Sequence, residues 1–369
     1  MKFARILSFS LAACLLAACG SDEMLPVGGG DGEIVIALQS SGTPASRVSL
    51  AGSDPLQHVT YVQVYAFKGT GDDARCVVSE NAMWHRQEGQ IAAQYYKLRT
   101  RLDAGEYTFL AVGIDNPLTG DRLPDTSLRG AATAYGLPDA IEAGDGVTTG
   151  TRLADAYARL AAGKSADDIA SAELMAGFAQ AEWNRVDDIT VALELRRRVA
   201  GVQCYLTNVP EGVTKIELIC ATPQYSNVPL CKQAEEADFG TEQLGEETEV
   251  LLSMPVNDEV LAAESVTLAD GSTIAKQRGS VYAAAFLLPI PQQQAMLTLR
   301  LTNASGTEVK NVKLDTGEGA YTYDFPLRAN WLYSIGHKSA DIDEPEDLGG
   351  KMTDIVIDGN WQVDVDIPL

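Results

Sequence analysis

Apolar and polar residues alternate in short runs along most of this chain, and a period of two marks strands rather than helices. Glu33 to Leu38 reads as a first strand. From Val59 to Phe67 the alternation places Val62, Val64 and Ala66 on one face and Tyr61, Tyr65 and Phe67 on the other. A polar turn over Lys68 to Asp73 follows, and Cys76-Val77-Val78 begins a return strand. Leu98 to Leu102 is a further strand candidate. A turn at Asp103 to Glu106 leads into Tyr107 to Val112, which reads as a buried strand. One stretch breaks the pattern. Leu153, Ala156, Tyr157, Leu160 and Ala161 recur at helical spacing with Gly163 closing the segment, and Ala166 to Ala176 is a candidate second helix. Strand patterning returns at Ile189 to Leu195.

A second β series starts after Arg196-Arg197-Arg198. Its strands are Val199 to Leu206, Lys215 to Cys220, Glu249 to Met254, Val281 to Leu288, Ala295 to Leu301, Val309 to Leu314 and Trp331 to Ile335. The chain ends on Ile355 to Ile357 and on the alternating segment Trp361 to Ile367, where Trp361, Val363, Val365 and Ile367 fall in one phase. Short runs separated by turns predict a mainly β chain built as antiparallel sandwiches, with a short helical insertion in the first domain. The expected division is a leader over 1–18, a tether over 19–32, an N-terminal domain over 33–195 and a C-terminal domain over 196–369.

The leader has its own pattern. Lys2 and Arg5 precede an apolar run from Ile6 to Ala18, too short to span a bilayer that needs roughly 20 residues. The run closes on Leu16-Ala17-Ala18-Cys19-Gly20, which resembles the lipobox of bacterial lipoproteins. That resemblance implies cleavage between Ala18 and Cys19 and acylation of Cys19, including a palmitate-type chain. Several acyl chains anchor durably because each buried CH₂ contributes about 0.8 kcal/mol. Ser21-Asp22-Glu23 resembles the acidic tag that takes Bacteroidetes lipoproteins to the outer face of the outer membrane. The expected location is therefore the outer membrane, lipid-anchored and facing outward.

Charge and cysteine content sharpen this. The chain has 369 residues and a formal charge of −23, which disfavours nucleic acid as a partner because phosphate backbones are repelled. Losing the leader removes Lys2 and Arg5 and makes the remainder more acidic still. Cys14 leaves with the leader and Cys19 is acylated, so Cys76, Cys204, Cys220 and Cys231 remain. Cys220 and Cys231 flank a turn-rich stretch and are the candidate disulfide. Buried thiols are the equal alternative, since Cys204 and Cys220 stand at apolar strand positions.

No catalytic, cofactor or metal constellation emerges. His58, His85 and His337 are widely separated, and neither GxSxG nor a strand-following GxGxxG occurs. Gly163-Lys164-Ser165 mimics the end of a phosphate loop, but Ala158 replaces the required glycine and the segment reads as a helix C-cap. Asp341, Asp343 and Asp347 lack the calcium-loop pattern, because Pro345 and Glu346 interrupt it. This points to a non-enzymatic protein without a cofactor.

Several segments resemble the FimB/Mfa2 family of Bacteroidales fimbrial subunits. They are Val62 to Phe67, Leu102 to Tyr107, Leu195 to Ala200, Ala285 to Pro289 with Leu297 to Leu301, and Leu327 to Ile335. Glu173-Leu174-Met175-Ala176-Gly177 departs from the aromatic-glycine motif common in that family. The resemblance implies two transthyretin-like domains and a fimbrial anchor or accessory subunit. Its partners would be membrane lipid, through Cys19, and fimbrial stalk subunits, joined by strand complementation. It also implies Arg47 as a processing site. Cleavage there would remove the first strand with the anchor and yield a stalk or tip subunit. Trp361 to Ile367 then either pairs with a partner or completes its own sheet. A surface glycan-binding lipoprotein of a nutrient-uptake system is the competing reading, although Trp84, Trp183, Trp331 and Trp361 are scattered and form no evident platform.

Overall fold

In the computed structural model, the described residues are 32–40, 61–82, 95–115, 134–164, 166–170, 173–220, 224–225, 227–232, 243–244, 249–267, 273–315, 324–335, 346–347 and 352–358. Strands dominate. Eight come from the first half: β1 (Ile34–Ser40), β2 (Tyr61–Lys68), β3 (Arg75–Asn81), β4 (Tyr95–Lys97), β5 (Gly105–Asp115), β6 (Tyr157–Arg159), β7 (Glu173–Trp183) and β8 (Ile189–Arg197). All but β6 form one seven-stranded sheet in the order β3-β2-β5-β7-β8-β1-β4.

That sheet folds over on itself at β7 and β8, which pair only at Met175↔Arg197 and Ala176↔Arg196. Gly177 marks the crossing: a Cβ there would lie 2.2 Å from the Glu194 carbonyl oxygen, so only glycine lets the two backbones approach. The resulting layers, β3-β2-β5-β7 and β8-β1-β4, enclose a core that includes Val62, Val64, Ala66, Phe109 and Met175 from one side and Ile36, Leu38, Val191 and Leu193 from the other.

The opposite face of β2, β5 and β7 is apolar too. Tyr65, Phe67, Leu110, Val112, Ile114 and Leu174 join a second core with Tyr135, Leu137, Ile141, Ala156, Ala158 and Leu160. This core extends into the second half of the chain through Val199, Val228, Leu230, Phe286, Leu288 and Leu332. The alternation in β2 thus sorts side chains between two cores rather than between core and water. A bulge at Ala66/Phe67 leaves Val77 without a partner across the ladder, so Cys76 falls in the shared core and Val78 in the inner one.

The second half forms a ten-stranded sheet. Its main path runs Glu249–Pro255, β10 (Lys215–Cys220), Ile290–Thr302, Glu308–Asp315, Met352–Asp358, Leu332–Ile335, β9 (Ala200–Thr207) and Ser280–Leu287. Val202, Cys204, Ile216, Leu218, Leu299 and Ile335 lie in its own core.

Four sequence expectations are corrected. The ladders are not purely antiparallel: β1 runs parallel to β8, Leu332–Ile335 and Glu346–Asp347 run parallel to β9, and Met352–Asp358 runs parallel to Glu308–Asp315. A hydrophobic pattern reports which face is buried and carries no signal for partner direction. The helical insertion over 153–163 is instead a 3₁₀ turn at Leu153–Asp155 followed by β6, which pairs with Asn227–Pro229. Ala156, Ala158 and Leu160 are all buried, a strand's spacing of two that the helical reading passed over. The second helix ends at Ile169, because Glu173 already belongs to β7, and Leu98 to Leu102 is not a strand although both leucines are buried.

The two sheets are joined by charge as well as by apolar packing. Arg197 and Arg198, at the end of β8, are both buried. Arg197 forms an ion pair with the equally buried Glu173 of β7, and its Nη1 donates to Asn330 Oδ1 at 3.3 Å. Arg198 donates to the carbonyls of Ala176, Leu230 and Lys232. Burial pushes the Glu173 carboxyl above the ordinary range, with Arg197 opposing that rise. Replacing Arg197 by alanine strands this carboxyl in the core and is expected to cost about 3–5 kcal/mol. Glu173→Leu combined with Arg197→Met is expected to be neutral or stabilising, since burying a charge pair carries its own desolvation cost. Urea unfolding of the three proteins checks both.

Candidate functional site

The first strand occupies a place that its position in the chain does not suggest. β1 lies between β8 and β4, parallel to the first from Ile34↔Ile189 to Ser40↔Leu195 and antiparallel to the second over Val35↔Lys97 to Ala37↔Tyr95. Its side chains Ile34, Ile36 and Leu38 enter the inner core, Ile36 being 0% exposed. Burying such side chains fully is worth about 1.5–3 kcal/mol each, so withdrawing β1 would open an apolar groove flanked by two unpaired ladder edges. At its start, Glu33 N–H donates to Asp188 Oδ1 at 2.7 Å and Ile189 N–H donates to the Glu33 carbonyl at 2.8 Å.

β4 is only three residues long, yet it does not depend on β1 alone. Glu80 belongs to β3, the opposite end of the sheet order, and its carboxylate accepts three hydrogen bonds from the β4 region. The donors are Tyr96 Oη at 2.6 Å, Arg99 N–H at 3.0 Å and Thr100 N–H at 2.6 Å. Arg99 Nε stands 3.5 Å from the same carboxylate, and its guanidinium also donates to the Asn81 carbonyl. The two edges of the folded-over sheet meet here. Burial alone pushes the Glu80 carboxyl up, but hydrogen bonds from Thr100, Tyr96 and Arg99 outweigh it and hold the group below its ordinary value. Tyr96 is pushed up to about 12 by burial and by the neighbouring carboxylate, which keeps it a donor. Sequence reading passed over Glu80, although a carboxylate in the buried phase of β3, two residues after Val78, is the signal that marks it.

Of the residues singled out in the sequence, Ala18, Cys19, Arg47, Trp361, Val363, Val365 and Ile367 lie outside the described residues, as do His58, His85 and His337. The four described cysteines are thiols. Cys220 belongs to the core of the second half, whereas Cys231 packs against the shared core that contains Cys76. Burial pushes the Cys76 thiol up to about 12, and burial likewise pushes Cys231 up to about 12 against the opposing pull of Arg198. Trp183 is buried in the inner core, and Arg328 lies over the ring of Trp331 at 4.8 Å from its centroid.

No family model matches the chain, and no curated protein does. Solved structures do. One is a candidate adhesin of Bacteroides thetaiotaomicron, at 12% identity and TM-score 0.47, covering 92% of this chain and 100% of the other. A second is the fimbrial anchor protein Mfa2 of Porphyromonas gingivalis, at 12% identity and TM-score 0.40, covering 90% and 99%. A third is the tip fimbrial protein Mfa3 of the same organism, with a C-terminal truncation, at 11% identity and TM-score 0.39, covering 89% and 99%.

With thiol pKa values near 12, Cys76 and Cys231 hold almost no thiolate at pH 8 and are expected to resist iodoacetamide until denaturant is added, which mass spectrometry of the alkylated peptides checks. Because the folded pKa of Glu80 lies below its unfolded value, near about 4.3, its stabilisation is complete above that value and is lost as pH falls through the folded one. The urea midpoints of wild type and Glu80→Gln are therefore expected to differ at pH 7 and to draw together as the pH falls below the unfolded value of about 4.3.

Proposed function

We propose that this chain is a non-catalytic surface lipoprotein that acts as an anchor or accessory subunit of a fimbria and joins its partners by β-strand complementation. The observation that carries the reading is the seating of β1: the first of the described strands, apolar on its inner face, held in a groove between two other strands. A groove of this kind is costly when empty and accepts any extended segment that supplies backbone hydrogen bonds and apolar side chains in the same phase. The sequence supports the rest of the reading. Cys19 ends a lipobox-like run, so acylation there would hold the chain in the outer membrane. In this reading the two halves, 33–195 and 196–369, are transthyretin-like domains. The terminal segment with Trp361, Val363, Val365 and Ile367 either serves a partner or completes its own sheet.

Arg47 decides between two states of the protein. It is the only Lys or Arg between Ser41 and Thr60, the stretch joining β1 to β2. Left intact, the chain keeps both its lipid and its first strand and stays in the membrane as an anchor. Cut after Arg47, it loses both at once and becomes a subunit with an open groove. Mass spectrometry of membrane-bound and shed protein checks this. The expected form is a chain beginning at acylated Cys19. Recovery only of chains beginning at Val48 would overturn the anchor role in favour of a stalk or tip subunit.

A further inference from the structure

Strand complementation needs more than a removable strand. If β4 left together with β1, an incoming segment would meet a single ladder edge and a collapsed groove. β4 has β1 as its ladder partner among the described residues, and three residues of ladder hold little by themselves. The contacts that keep it in place come from the other layer. Glu80 takes one hydrogen bond from the Tyr96 side chain within β4 and two from the backbone just beyond it, and Arg99 closes the cluster onto Asn81. The Glu80 side chain is only 8% exposed, so the accepting carboxylate is largely withdrawn from water although Arg99 is not. Two buried leucines, Leu98 and Leu102, add an apolar footing to the same segment.

We propose that Glu80 fixes β4 independently of β1, so that the slot between β8 and β4 persists when β1 leaves and captures a strand from a partner subunit. This rests on the complementation reading above and concerns the open state that cutting after Arg47 would leave, not the intact anchor. The geometry defines the incoming strand: about seven residues long, parallel to β8, antiparallel to β4, and apolar at the three alternate positions now held by Ile34, Ile36 and Leu38. An acidic residue immediately before it takes the place of Glu33, whose carboxylate pairs with Lys97 at the rim. Glu80 is a positioning residue here, since it touches β4 and not the guest.

The test uses the full chain carrying Ile36→Asp, which places a carboxylate in the core and drives its own β1 out. A fluorescently labelled peptide of residues 33–40 is the probe, read by anisotropy. Binding is expected, with an affinity at least tenfold lower when Glu80→Gln is added to Ile36→Asp. Equal affinities in the two backgrounds would overturn the role of Glu80 and leave strand complementation standing. Failure of the peptide to bind an Ile36→Asp chain whose β5 and β7 amides stay protected would sink complementation itself. Should Ile36→Asp prevent folding, hydrogen exchange on the otherwise unaltered Glu80→Gln chain decides. Amides of residues 95–100 are then expected to exchange at least tenfold faster while β5 and β7 stay unchanged, and unaltered protection at 95–100 would overturn the proposal.

Discussion

The strands β2, β5 and β7 carry large apolar side chains on both faces, and a sheet of that kind must be covered twice to exclude water. Most of the architecture answers this demand. The first cover is the remainder of the same sheet, which folds over at Gly177 and brings β8, β1 and β4 across Val64, Ala66 and Phe109. The second is assembled from the turn-rich stretch of residues 134–160 together with Val228, Leu230, Phe286 and Leu288 of the second half. The two sheets therefore share a core, and Tyr65 and Phe67 are as much part of the joint between the halves as of their own strand.

Apolar contact sets how much surface is buried but is indifferent to small slips, and polar groups in the joint fix the alignment. Arg197 and Arg198 stand where β8 gives way to β9 and reach in different directions, one to Glu173 and Asn330, the other to three backbone carbonyls. Buried charges of this sort are weak sources of stability because desolvation offsets their attraction. Their effect is on geometry: a guanidinium whose partners lie on both halves penalises any docking that leaves it unpaired. Glu80 does the same on a smaller scale at the other end of the sheet. Lys276 repeats the device in the second half, where its ammonium donates to the carbonyls of Val260, Ala263 and Ser280 around the end of a short helix.

These placements explain what the sequence discloses. The alternation Val62, Val64, Ala66 against Tyr65, Phe67 is readable because each face meets one chemical environment, and Lys215–Cys220 covers the residues its pattern marks. Tyr157–Arg159 escaped because alanines and leucines at 153–161 satisfy helical and strand spacing alike, and its partner lies some 70 residues later in Asn227–Pro229. Parallel pairing escaped for a related reason, since direction is settled by where distant strands arrive. Glu80 was visible only as an anomaly, an acid in an apolar phase, and its partners at 96–100 become neighbours only once the sheet has folded over. Glu173 to Gly177, the segment that departs from the family's aromatic-glycine motif, holds both the buried acid and the glycine of the crossing.

Chain order adds a last constraint on the groove. β1 is synthesised before any of its partners, and the Glu33–Asp188 bond at its start joins residues 155 apart in sequence. Contacts that distant carry the largest loop-closure entropy and form late, whereas the antiparallel ladders of β2 with β3 and β5 join near neighbours and form early. Loop-closure entropy therefore favours shaping the groove between β8 and β4 before its own strand fills it. A site that is receptive before it is filled selects for a wall that stands without its occupant, and a carboxylate reaching from the opposite layer is a physically inexpensive way to build one. The late arrival of β1 and the independent support of β4 are thus two consequences of one topology, in which the first strand of the half completes a sheet that the rest of the half has already shaped.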